Sequence, residues 1–139
     1  MKPMEQMEQA IKHLMFLVDE YHLNFKKQDF KGKPFGNYNT MVYSFYNDTG
    51  CFNIEYLYTR EEFSFYYSSK FSNDYDELLD KMVNIWIDEP EIWNKHRKWF
   101  WFLNDPFFDE RKEKVIMALA EIIRARIDKT GEFFGIKVN

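Results

Sequence analysis

The chain has 139 residues, a net charge of −4 and a single cysteine, Cys51. This length suits one domain with one core, so we expect residues 1–139 to form that domain. A single cysteine excludes an internal disulfide framework and a zinc site built from several cysteines, and it fits a reducing, cytoplasmic environment. Aromatic residues make up 20% of the chain, which predicts a folded core despite 30% of charged residues.

Residues 3–22 are predicted to form an amphipathic helix, because apolar side chains recur every three or four positions and Pro3 suits the first turn. Their apolar stretch is too short for a membrane span and lacks the cleavage site of a secretory peptide, so we expect no membrane association. Residues 24–37 have no regular period and are predicted to form a loop, with room for a short edge strand.

Three aromatic-rich runs follow, at residues 41–46, 52–58 and 63–68, joined by short polar links. Alternation with a period of two and short links are typical of antiparallel hairpins. One face of this meander is expected to pack on helices, and the other is expected to be partly wet. The second run divides between the two faces into Phe52, Ile54, Tyr56 and Tyr58 on one side and Asn53, Glu55 and Leu57 on the other.

Two capping boxes, Asp74-x-x-Glu77 and Asp88-x-x-Glu91, predict the starts of further helices. The first helix is predicted to extend to Trp86, and the second carries Pro90 in its first turn. Residues 109–129 form the clearest helical pattern, which Gly131 ends, and the apolar tail is expected to dock or to add a strand. The predicted fold is therefore α+β, with a three- to four-stranded antiparallel meander packed against about four helices as a single pair of layers.

The residues that carry chemistry do not form a recognisable catalytic or metal-binding motif. His13, His22 and His96 are isolated in sequence, so we expect no metal site, and the five glycines do not match a phosphate-binding loop. Cys51 is interpreted as a small buried hydrophobe. Paired carboxylates fall in turns and first helical turns, where capping explains them better than acid–base catalysis. We predict a protein that is not an enzyme and uses no cofactor.

Acidic side chains concentrate in the middle of the chain, where residues 37–93 hold three basic and eleven acidic residues. This charge repels nucleic acid and favours a basic protein partner through long-range attraction. Its alternative explanation is a well-solvated face without a partner. Aromatic residues between Trp86 and Phe108 are too dense to be buried together, so we expect some of them to be exposed as binding anchors or held under a loop.

In size, α+β layout, acidic middle and lack of catalytic residues, the chain resembles the small cytoplasmic immunity proteins of bacterial polymorphic and contact-dependent toxin systems. The segments that carry the resemblance are Asn47-Asp48-Thr49-Gly50-Cys51-Phe52, Glu91-Ile92-Trp93-Asn94-Lys95-His96 and Lys129-Thr130-Gly131-Glu132-Phe133-Phe134-Gly135. The resemblance implies that the protein blocks one cognate toxin, often a nuclease, by covering its active site with acidic side chains in place of phosphates.

The leading hypothesis is thus an inhibitory binding protein, monomeric or weakly dimeric, that contacts its toxin through two sets of residues. They are the acidic residues Asp48, Glu55, Glu61, Glu62, Asp74, Asp76 and Glu77, and the aromatic anchors Tyr56, Tyr58 and Trp93. One alternative is a small-ligand-binding domain or modest hydrolase with a tyrosine-lined pocket served by His96 and Glu55. Another is a structural subunit that oligomerises through its aromatic residues.

Overall fold

The computed structural model describes residues 3–60, 62–84, 89–100 and 109–138. Its helices are α1 (Pro3–Ile11), α2 (Phe16–Asp19), α3 (Tyr75–Leu78), α4 (Pro90–Phe100) and α5 (Asp109–Thr130). Its strands are β1 (Asn24–Lys31), β2 (Asn39–Asn47), β3 (Gly50–Leu57), β4 (Glu62–Ser68), β5 (Lys81–Met82), β6 (Glu132–Phe133) and β7 (Ile136–Lys137). The predicted α+β class is confirmed.

Strands β1 to β5 form one antiparallel sheet in chain order, in which each strand pairs with the next. The predicted meander of β2, β3 and β4 is confirmed, but the sheet has five strands rather than three or four. The edge strand allowed for within residues 24–37 is present as β1, which pairs with β2 along eight residues, so the loop prediction is wrong for that part of the segment. Charged residues occur on both faces of β1, so its sequence does not alternate between apolar and polar residues. An edge strand need not bury either face.

The amino-terminal helical region is interrupted. A 3-10 turn at Lys12–Leu14 separates α1 from α2, and the backbone of His22 is left-handed, with φ of 60°. The prediction of one helix over residues 3–22 therefore places the helical region correctly but misses the break. The break turns the chain so that Leu14, Phe16 and Leu17 are all buried.

Helix α3 is a single turn, so the predicted helix from Asp74 toward Trp86 is wrong for residues 79–84. The chain leaves the helix at Leu79, with ψ of 44°, and Lys81 and Met82 then pair with β4. Leucine, methionine and valine at these positions suit a helix and a strand equally, and the open edge of β4 decides between them. Residues 85–88, including Trp86, lie outside the described residues.

The described part of the carboxyl-terminal half contains the two predicted helices, whereas Asp88 of the predicted second capping box lies outside the described residues. Helix α4 begins at Pro90, and α5 ends at Thr130. Gly131, the next residue, has a positive φ of 74° and donates its N–H to the carbonyl of Ile127 at 2.8 Å. The tail folds into the β6–β7 hairpin instead of joining the main sheet. There Phe133 packs edge to face on Phe52, with ring centroids 6.1 Å apart.

The main core lies on what we call the inner face of the sheet. Helices α1, α2 and α5 cover this face, where the rings of Tyr43, Phe45 and Phe52 are fully buried. Alternation along β3 assigns Phe52, Ile54 and Tyr56 to the inner face and the residues between them to the opposite one. The inner face thus gathers most of the aromatic area that the composition supplies.

A second, smaller cluster lies on the opposite, outer face, where α3 packs through Tyr75 and Leu78 on Val42 and Cys51. The prediction of a single pair of layers is not confirmed, because this cluster covers part of the second face. No helix among the described residues has the length and apolar character needed to cross a membrane.

The amide of Asn53 joins β3 to the segment that covers the outer face. Its Oδ1 accepts from Ser44 Oγ at 2.6 Å and from Cys51 Sγ at 3.1 Å. Its Nδ2 donates to Ser68 Oγ at 3.2 Å and to the carbonyl of Leu78 at 2.8 Å. All four of these hydrogen bonds are buried. Because one of them reaches the last residue of α3, the Asn53 side chain fixes the position of α3 on the sheet.

Replacing Asn53 with alanine is expected to lower the free energy of unfolding by about 2–4 kcal/mol, because it leaves buried polar groups without partners. Urea denaturation measures the change. The matched control is Asn94→Ala on the exposed side of α4, which should cost less than about 0.5 kcal/mol. Equal stability of the two variants would contradict a structural role for the Asn53 amide.

Candidate functional site

The outer face carries five of the predicted acidic residues on one side of the sheet. We call this set the outer acidic surface, and its members are Glu55, Glu62, Asp74, Asp76 and Glu77. Glu55 of β3 pairs with Ser64 of β4, so Glu62, two positions away on β4, shares its face. The other three residues belong to α3 and its first turn, which pack on the same face.

Capping positions the carboxylates around α3. The side chain of Asp74 accepts from the N–H of Glu77 at 3.1 Å, as the sequence predicts for an N-cap. The Glu77 carboxylate does not complete the box on Asp74 but accepts from Ser72 Oγ at 2.5 Å. That serine in turn accepts from the N–H of Asp74 at 2.9 Å. Asp76 is exposed, so the turn leaves it directed away from the buried residues Tyr75 and Leu78.

Glu55 is the most constrained carboxylate of the outer acidic surface. It is half-buried and accepts a short hydrogen bond from the hydroxyl of Tyr75. Burial raises the pKa of the Glu55 carboxyl, the hydrogen bond from Tyr75 opposes this rise, and the charge of Glu62 adds to it. The pKa of Tyr66, on the same face, is also raised, by burial and by Glu55. Negative charge is therefore crowded and incompletely solvated here.

Few cations offset this charge within the described part of the chain. Among the described residues, the outer acidic surface takes part in one ion pair, between Arg60 and Glu62 at 3.4 Å. Lys70 lies beside Glu77 and Asp80 in a cleft of about 230 Å³, but beyond ion-pair distance. Helix α5 packs on the inner face, so its basic side chains lie across the sheet from the acidic residues.

The remaining predicted contact residues lie elsewhere. Asp48 is exposed in the β2–β3 turn, at the end of β3 away from Glu55. Tyr56 is fully buried on the inner face, with Lys112 Nζ 5.3 Å from its ring centroid, so its prediction as an exposed anchor is wrong. Adjacent strand residues point to opposite faces, so Glu55 and Tyr56 cannot serve one surface. Glu61 lies outside the described residues.

Tyr58 and Trp93 are also separated from the outer acidic surface. The hydroxyl of Tyr58 donates to Asp29 at 3.0 Å and accepts from Lys31 Nζ at 2.7 Å, which ties it to β1. Trp93 lies on α4 and packs half-buried against the main core on the inner side. Most of the dense aromatic stretch after it lies outside the described residues.

The geometry does not assemble the pocket of the alternative hypothesis from His96 and Glu55. His96 Nε2 lies 2.7 Å from Glu121 of α5, on the inner side, and Glu55 faces outward across the sheet. A pocket of about 420 Å³ lies between β5 and the β6–β7 turn, but its lining contains one tyrosine, Tyr67, and neither His96 nor Glu55.

Among the residues that the structure places, no three His, Cys, Asp or Glu side chains are grouped to hold a metal ion. The sole cysteine, Cys51, is buried as predicted, and burial raises the pKa of its thiol. It contacts the Asn53 amide and is therefore held in the outer cluster.

Three residues of this face were missed by the sequence reasoning, namely Tyr66, Tyr75 and Asp80. Alternation along β4 places Tyr66 opposite Asn53 on the outer face, a signal that was present in the sequence. The contact between Tyr75 and Glu55 has no such signal, because it joins residues 20 positions apart through tertiary packing.

Comparison with protein-family models, with curated proteins and with solved structures finds no match for this chain.

The crowding at Glu55 predicts two pKa changes of opposite sign. Glu62→Gln removes a negative charge and should lower the pKa of Glu55, whereas Tyr75→Phe removes a donated hydrogen bond and should raise it. Side-chain carbon NMR titration measures both, with Glu91→Gln at the exposed start of α4 as a control without effect. Shifts of the same sign in the two test variants would contradict this arrangement.

The same raised pKa has a consequence for stability. A carboxyl whose pKa is higher in the folded state than in the unfolded state binds its proton more tightly when folded. The raised pKa of Glu55 therefore stabilises the folded state at pH values below its unfolded pKa, and this stabilisation is lost as pH rises through its folded pKa. Glu55→Gln should remove this part of the pH dependence, as urea denaturation at a series of pH values would detect.

Proposed function

We propose that the protein is an inhibitory binding protein of the immunity type, which neutralises a basic protein toxin through the outer acidic surface. One observation carries the proposal. Five carboxylates lie on the same side of one sheet, and Arg60 is the cation found in an ion pair with them among the described residues. A patch of one sign attracts a partner of the opposite sign and raises the rate of encounter.

The proposed contact differs from the sequence hypothesis in its aromatic members. Tyr66 is half-buried on the outer face and diagonal to Glu55 across the β3–β4 pair. It replaces Tyr56 as the ring that a partner can reach from this side. An aromatic ring beside carboxylates suits a lysine or arginine side chain, which can pair with the charge and lie on the ring.

Rigidity supports the same role. The Asn53 amide fixes α3 on the sheet, and the contacts among Ser72, Asp74 and Glu77 fix its first turn. A surface held in place before binding loses less conformational freedom when it meets its partner. The carboxylates would then occupy positions that the phosphates of a nucleic-acid substrate take in the active site of a nuclease toxin.

Reversing two charges of the surface tests the electrostatic part of the proposal. The double variant Glu62→Lys/Asp76→Lys should reduce the association rate constant by about tenfold or more at low salt, with a smaller change in dissociation. The probe is the carboxy-terminal domain of the protein encoded by the neighbouring reading frame, and surface plasmon resonance measures both rates.

The matched control is Asp128→Lys on the exposed side of α5, which changes charge on the inner side of the sheet. At about 0.5 M salt the association rate constants of the double variant and the wild type should become more similar, because salt screens the surface charges over shorter distances. An association rate that is equal for the double variant and the wild type at low salt would overturn the proposed role of this surface.

A further inference from the structure

Among the residues that the structure describes, strand β1 forms an open edge of the main sheet. It is the first strand in the order β1 to β5 and pairs on one side with β2. Its side chains are exposed or half-buried along all eight residues. An edge of this length offers a row of backbone donors and acceptors to another strand.

Hydrogen bonding at the end of β2 shows which groups of β1 face outward. Asn39 donates its N–H to Thr59 Oγ1 at 2.6 Å and accepts from the same hydroxyl at 3.1 Å, so both of its backbone groups point away from β1. Asn39 is the partner of Lys31. Opposed residues in an antiparallel pair exchange both hydrogen bonds or neither. The backbone groups of Phe25, Lys27, Asp29 and Lys31 therefore point to the open edge.

The sequence of β1, Asn24-Phe25-Lys26-Lys27-Gln28-Asp29-Phe30-Lys31, is complementary to itself about Gln28. An antiparallel copy centred there opposes Lys27 to Asp29, Lys26 to Phe30 and Phe25 to Lys31. Each cation then meets a carboxylate or an aromatic ring. In this register, residues on the inner face of one copy oppose residues on the inner face of the other. A two-fold axis perpendicular to the sheet requires this, because it keeps the same face of both copies on the same side. A shift of the copy by one residue pair in either direction opposes Lys27 to Lys27 or Asp29 to Asp29.

We propose that β1 pairs with β1 of a second copy of this chain in this register, which joins two sheets into one of ten strands. The outward backbone groups of Lys27 and Asp29 form the hydrogen-bonded pairs on both sides of the two-fold axis. Lysines on an edge strand normally disfavour pairing with other strands, and here one long register places each of them opposite a carboxylate or an aromatic ring. Lys27, which already lies 2.8 Å from Glu8 of α1, gains the Asp29 of the second copy as a second carboxylate. Asp29, already 3.1 Å from Lys31 of its own chain, is shared with Lys27 of the second copy.

This pairing does not depend on the proposed function. Glu55 and Glu62 lie on β3 and β4, away from the edge. The turn before α3 touches β1 through the side chain of Gln28, which donates to the carbonyl of Ser72 at 3.1 Å, but the outward backbone groups of β1 take no part in that contact. The two-fold axis leaves the outer acidic surfaces of both copies on the same side of the joined sheet. Loss of toxin binding would thus leave the dimer intact, and loss of the dimer would leave each acidic surface in place.

Cysteine crosslinking tests the register. At a pair without backbone hydrogen bonds, opposed Cα atoms lie about 4.5 Å apart, which a disulfide can span. Gln28→Cys should therefore form a disulfide-linked dimer under mild oxidation of the whole protein. Lys26→Cys is the matched control on the same face, because the two copies of residue 26 are roughly 13 Å apart along the strands. Failure of Gln28→Cys to crosslink, or equal crosslinking of both variants, would overturn the register.

Charge exchange tests the contact itself. In the dimer, residue 27 of each copy opposes residue 29 of the other, so Lys27→Asp and Asp29→Lys each create two pairs of like charges. Each variant should raise the dimer dissociation constant about tenfold, as sedimentation equilibrium would measure. The double variant Lys27→Asp/Asp29→Lys restores opposite charges across the axis and should recover the wild-type dissociation constant. Circular dichroism establishes that each variant is folded. A wild-type protein that is monomeric at all concentrations, or a double variant as weak as the single ones, would contradict the proposed dimer.

Discussion

In β3 the side chain of Asn53 is buried among four polar partners, and this cluster determines where the chain goes after the meander. The carbonyl of Leu78 can reach the Asn53 amide only if α3 lies flat on the outer face. Tyr75 is then buried beside Glu55, and Asp76 and Glu77 are left on the exposed side of the turn. The position of the acidic residues thus depends on a polar contact inside the sheet rather than on the charges themselves.

The uneven charge of the chain becomes a difference between the two sides of the sheet. Five of the eleven acidic residues of the middle form the outer acidic surface, whereas the basic carboxyl-terminal part contains α5, which packs on the inner face. Lys112 illustrates the separation, because its ammonium lies over the ring of Tyr56, one residue along the strand from Glu55 but on the other side. Lys129 of α5 does pair with Glu89, at 2.6 Å, but Glu89 is not part of the outer acidic surface. Neutralisation of that surface by α5 would have to act through the sheet, where opposite charges are too distant to pair.

Sequence periodicity predicts the type of element correctly where one face of that element is buried. The meander and α5 were predicted because their apolar residues repeat with the period of the structure that they form. It failed for β1, whose lysines and Asp29 give an edge strand no apolar face, and for residues 79–84, where pairing with β4 outweighed helical spacing. Local sequence cannot report either outcome, because both depend on which neighbour offers a free edge.

For the candidate site, the sequence located the acidic residues but not their common surface. The N-cap at Asp74 was predictable from spacing alone, although Glu77 does not complete the predicted capping box. The opposite orientations of Glu55 and Tyr56 follow from alternation once the strand is known. The contact between Tyr75 and Glu55, the separation of His96 from Glu55 and the remote position of Asp48 required the tertiary fold.

Amide chemical-shift mapping of the labelled protein against the carboxy-terminal domain encoded by the neighbouring reading frame, the proposed partner, tests the central claim most directly. The account predicts that the largest changes fall on the outer face, at Ser64, Tyr66, Asp76 and Glu77, with little change along the exposed side of α5. Changes concentrated on α4 and α5, or at the Asp48 turn, would show that the partner binds elsewhere and would contradict the assignment of the outer acidic surface.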